Sequence, residues 1–320
     1  MQDKAGPLYK LPMPYVLTVI GDPRSRPLTA ALAETVRAAI TRGGGLPGEP
    51  DWLAEGIACD IPFDGSEPTI IQAQVRDALG RARLDLAVQP PEGRRKRLLV
   101  ADMESTIIAQ EMLDELAVVA GIGPQVQDIT ARAMAGELDF EAALRERVGL
   151  LAGMSEKTLE AAAKTMTLMP GARTLVATMH AAGAYCALVS GGFTCFAEKI
   201  RQSCGFSEDR ANRLEVEAGH LTGRVAEPIL GRAAKLAALE ELTASLGLTL
   251  RESCAVGDGA NDLAMLGAAG LGVAFRGKPK VRAAARYRVD HGDLTALLYL
   301  QGYRRSEFRE DEVVPGSVES

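Results

Sequence analysis

Apolar residues follow two different rhythms along the chain, and the change of rhythm separates two regions. In the first, Tyr15 to Ile20 is a short β-rich run ending at Gly21-Asp22-Pro23, which predicts a strand. Leu28 to Ile40 carries apolar residues at helical spacing, and Gly43-Gly44-Gly45 with Pro47 and Pro50 breaks it. Trp52 to Ile61 reads as one or two short strands, Ile70 to Leu79 as a helix, and Leu84 to Val88 as a last strand. The order β-α-β-α-β, with its middle strand split, fits a small α+β sandwich of ferredoxin-like type over residues 1–89.

Beyond it the rhythm changes to continuous apolar runs. Leu98 to Ala101, Tyr185 to Val189, Ser253 to Val256 and Leu271 to Phe275 predict strands of a parallel sheet covered on both faces. About eighty residues with little strand signal separate the first two runs. Glu111 to Val119, Val126 to Met134, Phe140 to Leu151 and Ser155 to Met166 each have helical spacing, with Asp139 and Ser155 where N-caps belong. They predict a helical cap, at about 111–172, inserted into an α/β domain spanning 98–308. The prolines, glycine and basic run of residues 90–97 predict a solvated linker. Residues 309–320, acidic and small, predict a flexible tail.

Composition narrows the classes. Charged residues make up 24% of the 320 and the net charge is 36 − 42 = −6, so an ordered chain with no affinity for nucleic acid is expected. No apolar run approaches the ~20 residues of a membrane span, and the N-terminal residues lack the apolar stretch of a signal peptide. Five scattered cysteines fit neither a disulfide framework nor a zinc site. The expectation is a cytoplasmic protein.

Ligands of open α/β sheets bind at the carboxyl ends of the strands, so the residues just past each run carry the chemistry. The first gives Asp102-Met103-Glu104-Ser105-Thr106, the second Ser190-Gly191-Gly192, and the third Gly257-Asp258-Gly259-Ala260-Asn261-Asp262, with Lys235 on the helix before it. Asp102, Glu104, Asp258 and Asp262 would converge. Two like charges 4 Å apart repel by roughly 4 kcal/mol at an effective dielectric of 20. A hard divalent cation relieves this, and an all-oxygen set suits Mg²⁺. Lysine, hydroxyl, bare glycine amides and a cation together describe a phosphate site. Each loop alone could be a turn or cap; their strength lies in the ordered set. No P-loop is present, since Gly277-Lys278 is followed by Pro279, and no dinucleotide fingerprint, zinc-protease or nucleophile-elbow motif replaces it.

These three segments, with Leu188 to Phe193 and Val256 to Asp262 read in full, resemble the motifs of the haloacid-dehalogenase-like phosphatases. Glu111 to Ala117, Leu144 to Val148 and Leu221-Thr222-Gly223 narrow the resemblance to members acting on phosphoserine. It covers residues 97–305; the N-terminal region is similar to the ACT-like domain of some bacterial members. The resemblance implies a Rossmann-like parallel sheet with an inserted cap, a Mg²⁺ cofactor, and hydrolysis of O-phospho-L-serine as the last step of serine biosynthesis. ACT-like domains often pair, which implies a homodimer.

By the same resemblance, Asp102 is the nucleophile that forms an aspartyl-phosphate. Glu104 stands where the family has an aspartate acting as acid and base. Ser190, Gly191 and Lys235 match phosphate-binding positions. Asp102, the Glu104 carbonyl and Asp258 match metal ligands, with Asn261 and Asp262 at supporting polar positions. Glu111 would receive the substrate ammonium, Arg147 would clamp its carboxylate, and Met134 and Phe140 would close over it. A related phosphomonoesterase, a phosphotransferase to homoserine, and a regulatory amino-acid-binding protein impaired at Glu104 stay open as alternatives.

Overall fold

A computed structural model describes residues 14–309 except 135, 136 and 232, and leaves out the Met134 side chain. The extreme N-terminal residues and the expected tail beyond Arg309 lie outside the described residues. Two compact units divide the chain, one ending at Arg94 and the other beginning at Arg95.

The first unit runs β1 (Tyr15–Gly21), α1 (Ala30–Arg42), β2 (Leu46–Pro47), β3 (Asp51–Ala54), β4 (Ala58–Asp64), α2 (Pro68–Leu79) and β5 (Leu84–Gln89). Its strands lie in the order β2-β4-β1-β5, with β3 also on β4, and every pair is antiparallel. This is the split β-α-β arrangement expected from the sequence. Alternation sends Leu17 and Val19 of β1 and Ile61 and Phe63 of β4 into a core with Val36 and Ile40 of α1 and Ile71 and Val75 of α2. Helix α1 starts where the Thr29 hydroxyl accepts the Leu32 N–H at 3.2 Å.

Most of residues 90–97 are exposed, as a solvated linker requires, but the basic run is also anchored. Arg94 clasps Asp60 with Nη1 to Oδ2 at 2.5 Å and Nη2 to Oδ1 at 3.2 Å, and Asp60 also accepts from the Thr18 hydroxyl. In the second unit, buried Lys96 donates its Nζ to the Arg251 carbonyl at 2.7 Å. Arg95 lies over the Tyr303 ring at 4.2 Å and pairs with Glu307. Composition shows four charges; only tertiary structure shows that these three have acceptors or a ring face.

The second unit contains β6 (Leu98–Ala101), then α3 (Met112–Val119), α4 (Gly123–Met134), α5 (Phe140–Gly149) and α6 (Glu156–Ala163). It continues through α7 (Ala172–Ala181), β7 (Tyr185–Phe193), α8 (Thr194–Cys204), β8 (Glu208–Asn212), β9 (Leu214–Glu217), β10 (His220–Val225) and α9 (Ala234–Ser245). It closes with β11 (Ser253–Gly257), α10 (Leu263–Ala268), β12 (Leu271–Phe275), α11 (Pro279–Ala284), β13 (Tyr287–Val289) and α12 (Ala296–Leu300). The sheet order is β13-β12-β11-β6-β7-β8, parallel throughout. The four central strands are those expected. The outer two, β8 and β13, escape the sequence reading because Glu-Asp-Arg-Ala-Asn and Tyr-Arg-Val offer no apolar run. They sit at the sheet edges, where fewer residues face a core.

Helices α3 to α6 form the cap. Asp139 and Ser155 cap α5 and α6 as expected, accepting from Ala142 and Lys157 N–H groups. The chain enters and leaves the cap through an antiparallel bridge, Ile108 to Leu168, reinforced by Ala109 N–H to Thr167 and Met169 N–H to Ile107. On its other side the cap segment at Gly153 to Glu156 pairs with the β9–β10 hairpin, through Gly153 N–H to Leu221 and Leu221 N–H to Met154. No helix of the described residues is long and apolar enough to cross a membrane.

Candidate active site

Asp102 follows β6 directly, and its N–H donates to the Val256 carbonyl of β11 at 3.0 Å, which fixes the backbone at the sheet's carboxyl end. Its Oδ1 accepts from Lys235 Nζ at 2.6 Å and from the Met103 N–H at 2.8 Å. Lys235, on the first turn of α9, also reaches Asp262 Oδ1 at 2.6 Å. Asp262 Oδ2 accepts the Gly259 N–H at 2.8 Å, so both its oxygens are committed within the protein. Gly257 makes this packing possible, because a Cβ there would stand 2.3 Å from the Asp262 carboxyl carbon.

Carboxylate oxygens of Asp102, Asp258 and Asp262 lie within 4.8 Å of one another, and all three residues are buried. Burial pushes the Asp102 carboxyl up to about 7 against the pull of Lys235, with Asp262 and Asp258 adding to the rise. It also raises Asp258, which Lys278 opposes. Lys235 loses charge stability to burial, but Asp102 and Asp262 more than offset this and raise its pKa. One buried lysine for three buried carboxylates, with Lys278 reaching Asp258 from the exposed side, leaves negative charge that a hard cation would neutralise, so the donor set fits a divalent metal. With both Asp262 oxygens committed, Asp102 and Asp258 are the carboxylates suited to such an ion, and Asp262 orients Lys235 and the Gly259 amide.

The end of β7 forms the second wall. Ser190 is buried, and its Oγ accepts the Gly192 N–H at 2.9 Å, bending the Ser190 to Gly192 segment. Asn212 of β8 holds the same segment from behind, donating Nδ2 to the Gly191 carbonyl at 2.8 Å and accepting the Leu230 N–H at 2.7 Å.

The cap supplies the third. Glu111 is the N-cap of α3, and Ser105 donates its hydroxyl to Glu111 Oε1 at 2.8 Å. Arg147 lies in the last turn of α5, with Nε donating to the Ala143 carbonyl at 3.2 Å. Burial lowers its pKa, while Asp114, Glu104 and Glu111 nearby favour the cation. Glu104 Oε1 accepts the Met112 N–H at 2.9 Å. Burial pushes Glu104 up to about 8, helped by Glu111 and opposed by the Met112 N–H.

A cavity of about 730 Å³ gathers most of the residues singled out from the sequence: Asp102, Glu104, Glu111, Phe140, Arg147, Gly191, Asp258 and Asn261. Ser190 and Lys235 line a small adjoining recess that shares Gly191, Asn261 and Phe140 with it. Asp262 lies beneath, and the Met134 side chain is outside the described residues. The sequence reading missed Lys278, whose Nζ stands 3.3 Å from Asp258 and 3.8 Å from Glu111. It sits just past β12, so the strand-end rule that found the other loops would have found it too. Ser105, inside the first motif, has φ of 54° and also lines the cavity. Asn212 carries no sequence signal, since its role depends on an unrecognised edge strand.

Comparison with known proteins relates the chain to one group of hydrolases. A family model described as haloacid dehalogenase-like hydrolase matches residues 99–267. A phosphoserine phosphatase from Streptomyces coelicolor is 39% identical over 296 residues, covering 91% of this chain and 71% of that protein. One from Mycobacterium tuberculosis is 36% identical over 303 residues, covering 94% and 74%. A crystal structure of a HAD family hydrolase from Salmonella enterica serovar Typhi superposes with a TM-score of 0.78 at 28% identity, covering 89% of this chain and 97% of that one.

Proposed function

This chain belongs to the haloacid dehalogenase-like hydrolases, and from that membership we infer that its reaction is the hydrolysis of O-phospho-L-serine to L-serine and phosphate. One observation carries the assignment of roles. The cavity sets buried Asp102, tied through Lys235 to Asp262, against a cap that offers two acids, Glu111 and Asp114, and one arginine, Arg147. The first group suits a phosphoryl centre and the second an amino-acid head group.

In this reading the Asp102 carboxylate attacks phosphorus, an Asp102–phosphate bond forms, and the bond to the serine oxygen breaks. Glu104 delivers its proton to that oxygen. It then takes a proton from water, which attacks phosphorus and releases Asp102. Lys235, Ser190 Oγ and the Gly191 N–H face the phosphoryl oxygens, and Asn261 and Asp262 support them. Glu111 receives the ammonium, Arg147 the carboxylate, and Phe140 covers the substrate. Asp102, Asp258 and the Glu104 carbonyl would hold Mg²⁺, which supplies neutralisation of phosphoryl charge. The N-terminal unit is read as ACT-like on its β-α-β-β-β-α-β order alone, with pairing of two copies the associated expectation.

Phosphate release from O-phospho-L-serine, assayed with Mg²⁺ and with EDTA, tests the reading. Metal-dependent turnover is the expected result, and absence of turnover from folded protein would overturn it. Specificity has its own test. Arg147→Lys keeps the charge and loses the two-pronged grip. Losing about 2 kcal/mol of charge-assisted hydrogen bonding should raise KM for O-phospho-L-serine about 30-fold. O-phosphoethanolamine, which has no carboxylate, should show little change. Equal effects on both substrates would remove Arg147 from the carboxylate site.

A further inference from the structure

Gly192 has an ordinary strand conformation, so the backbone at this position does not call for glycine. The three atoms nearest to a side chain's first carbon there all belong to Glu104. A Cβ at 192 would lie 3.0 Å from Glu104 Oε1, 3.1 Å from its Cδ and 3.1 Å from its Oε2. Gly191, one residue earlier, faces Phe140 instead. On the opposite flank, Glu104 Oε1 is tied to the Met112 N–H, the first residue of cap helix α3, at 2.9 Å. The carboxylate is therefore held between the bare backbone of β7 and the start of α3. Displaced from one side, it loses its hydrogen bond on the other.

We propose that Gly192 and the Met112 N–H form a two-sided seat for the Glu104 carboxylate, with Gly192 acting as a positioning residue matched to a glutamate at 104. The seat rests on the reading of Glu104 as the proton-transferring group given above. Its consequence is specific to side-chain length. An aspartate is shorter by one C–C bond, about 1.5 Å, and draws its carboxylate back from both flanks. A methyl group at 192 then obstructs a glutamate and leaves an aspartate undisturbed. Because Met112 belongs to the cap, the seat also makes the position of the acid depend on where α3 starts.

The test is a double-mutant cycle on the full-length protein with Mg²⁺ and O-phospho-L-serine, using Gly192→Ala, Glu104→Asp and both together. Misplacing a catalytic group by about 1 Å costs ~10²-fold, so a shift of a few tenths should lower kcat of Gly192→Ala about tenfold, with KM nearly unchanged. In the Glu104→Asp background the same substitution should cost less than about twofold, which leaves a coupling of at least about fivefold. Equal losses in both backgrounds, or no loss in the glutamate background, would overturn the seat. If Gly192→Ala fails to fold with glutamate at 104 and folds with aspartate, the coupling is upheld as a stability effect; failure to fold in both backgrounds overturns it. Lack of turnover in the unmutated protein would instead overturn the phosphatase reading, so the two failures are distinct.

Discussion

Asp102→Asn should lower phosphate release by about 10⁶-fold, the scale on which loss of an enzymic nucleophile is felt. Asparagine keeps an oxygen where the Met103 N–H and Lys235 Nζ now donate to Asp102 Oδ1. It removes the negative charge and puts an amide NH2 in place of the oxygen proposed to attack phosphorus. The charge removed is costly, since burial raises the Asp102 carboxyl to about 7 even with Lys235 beside it. The variant is therefore expected to fold and to melt no lower than the parent protein, which separates chemistry from stability. Phosphate release and a thermal melt on one preparation decide the matter. Turnover above about one per cent of the parent rate, far beyond what loss of a nucleophile leaves, would mean that another group attacks phosphorus.

The residues of this prediction were legible in the sequence for a physical reason. A buried parallel strand must be apolar along its length and polar immediately past its end, so Asp102, Ser190 and Asp258 stand out at the ends of Leu98 to Ala101, Tyr185 to Val189 and Ser253 to Val256. Contacts between elements distant in sequence left no such mark. Asn212 holds the Gly191 loop from an edge strand whose composition is that of a loop. The pairing of Gly153 to Glu156 with the β9–β10 hairpin likewise depends on two segments that meet only in the folded chain. Arg94 and Lys96 belong to a run whose composition suits solvent, and both are bonded to groups remote in sequence. Glu104 is intermediate. Its carboxyl chemistry could be read from the motif, but its place between Gly192 and Met112 could not.

Lys235→Met should destabilise the second unit more than any other single change in the site. Lys235 is 3% exposed and lies 2.6 Å from both Asp102 and Asp262. Methionine matches its length and packing and supplies no charge, so two buried carboxylates lose their shared cation. Removing one partner of a buried ion pair costs about 3–5 kcal/mol. For a unit of this size that corresponds to a melting temperature lower by about 6–20 °C. The dependence on pH follows from the direction of the shifts. Lys235 has a raised pKa in the folded state, so its stabilisation is present throughout the neutral range and is lost only as pH rises through that raised value. In Lys235→Met the Asp102 carboxyl, already raised by burial, loses the opposing pull of the lysine and takes up a proton on folding, so the deficit is largest near pH 8 and narrows toward pH 5. Thermal melts of both proteins at these two values measure the change. Turnover should fall by about 10³-fold at pH 8 if, as proposed, the lysine also faces the phosphoryl group. A variant that melts with the parent protein at pH 8 would show that the carboxylate cluster is held together without Lys235, and the charge balance assigned to the site would be wrong.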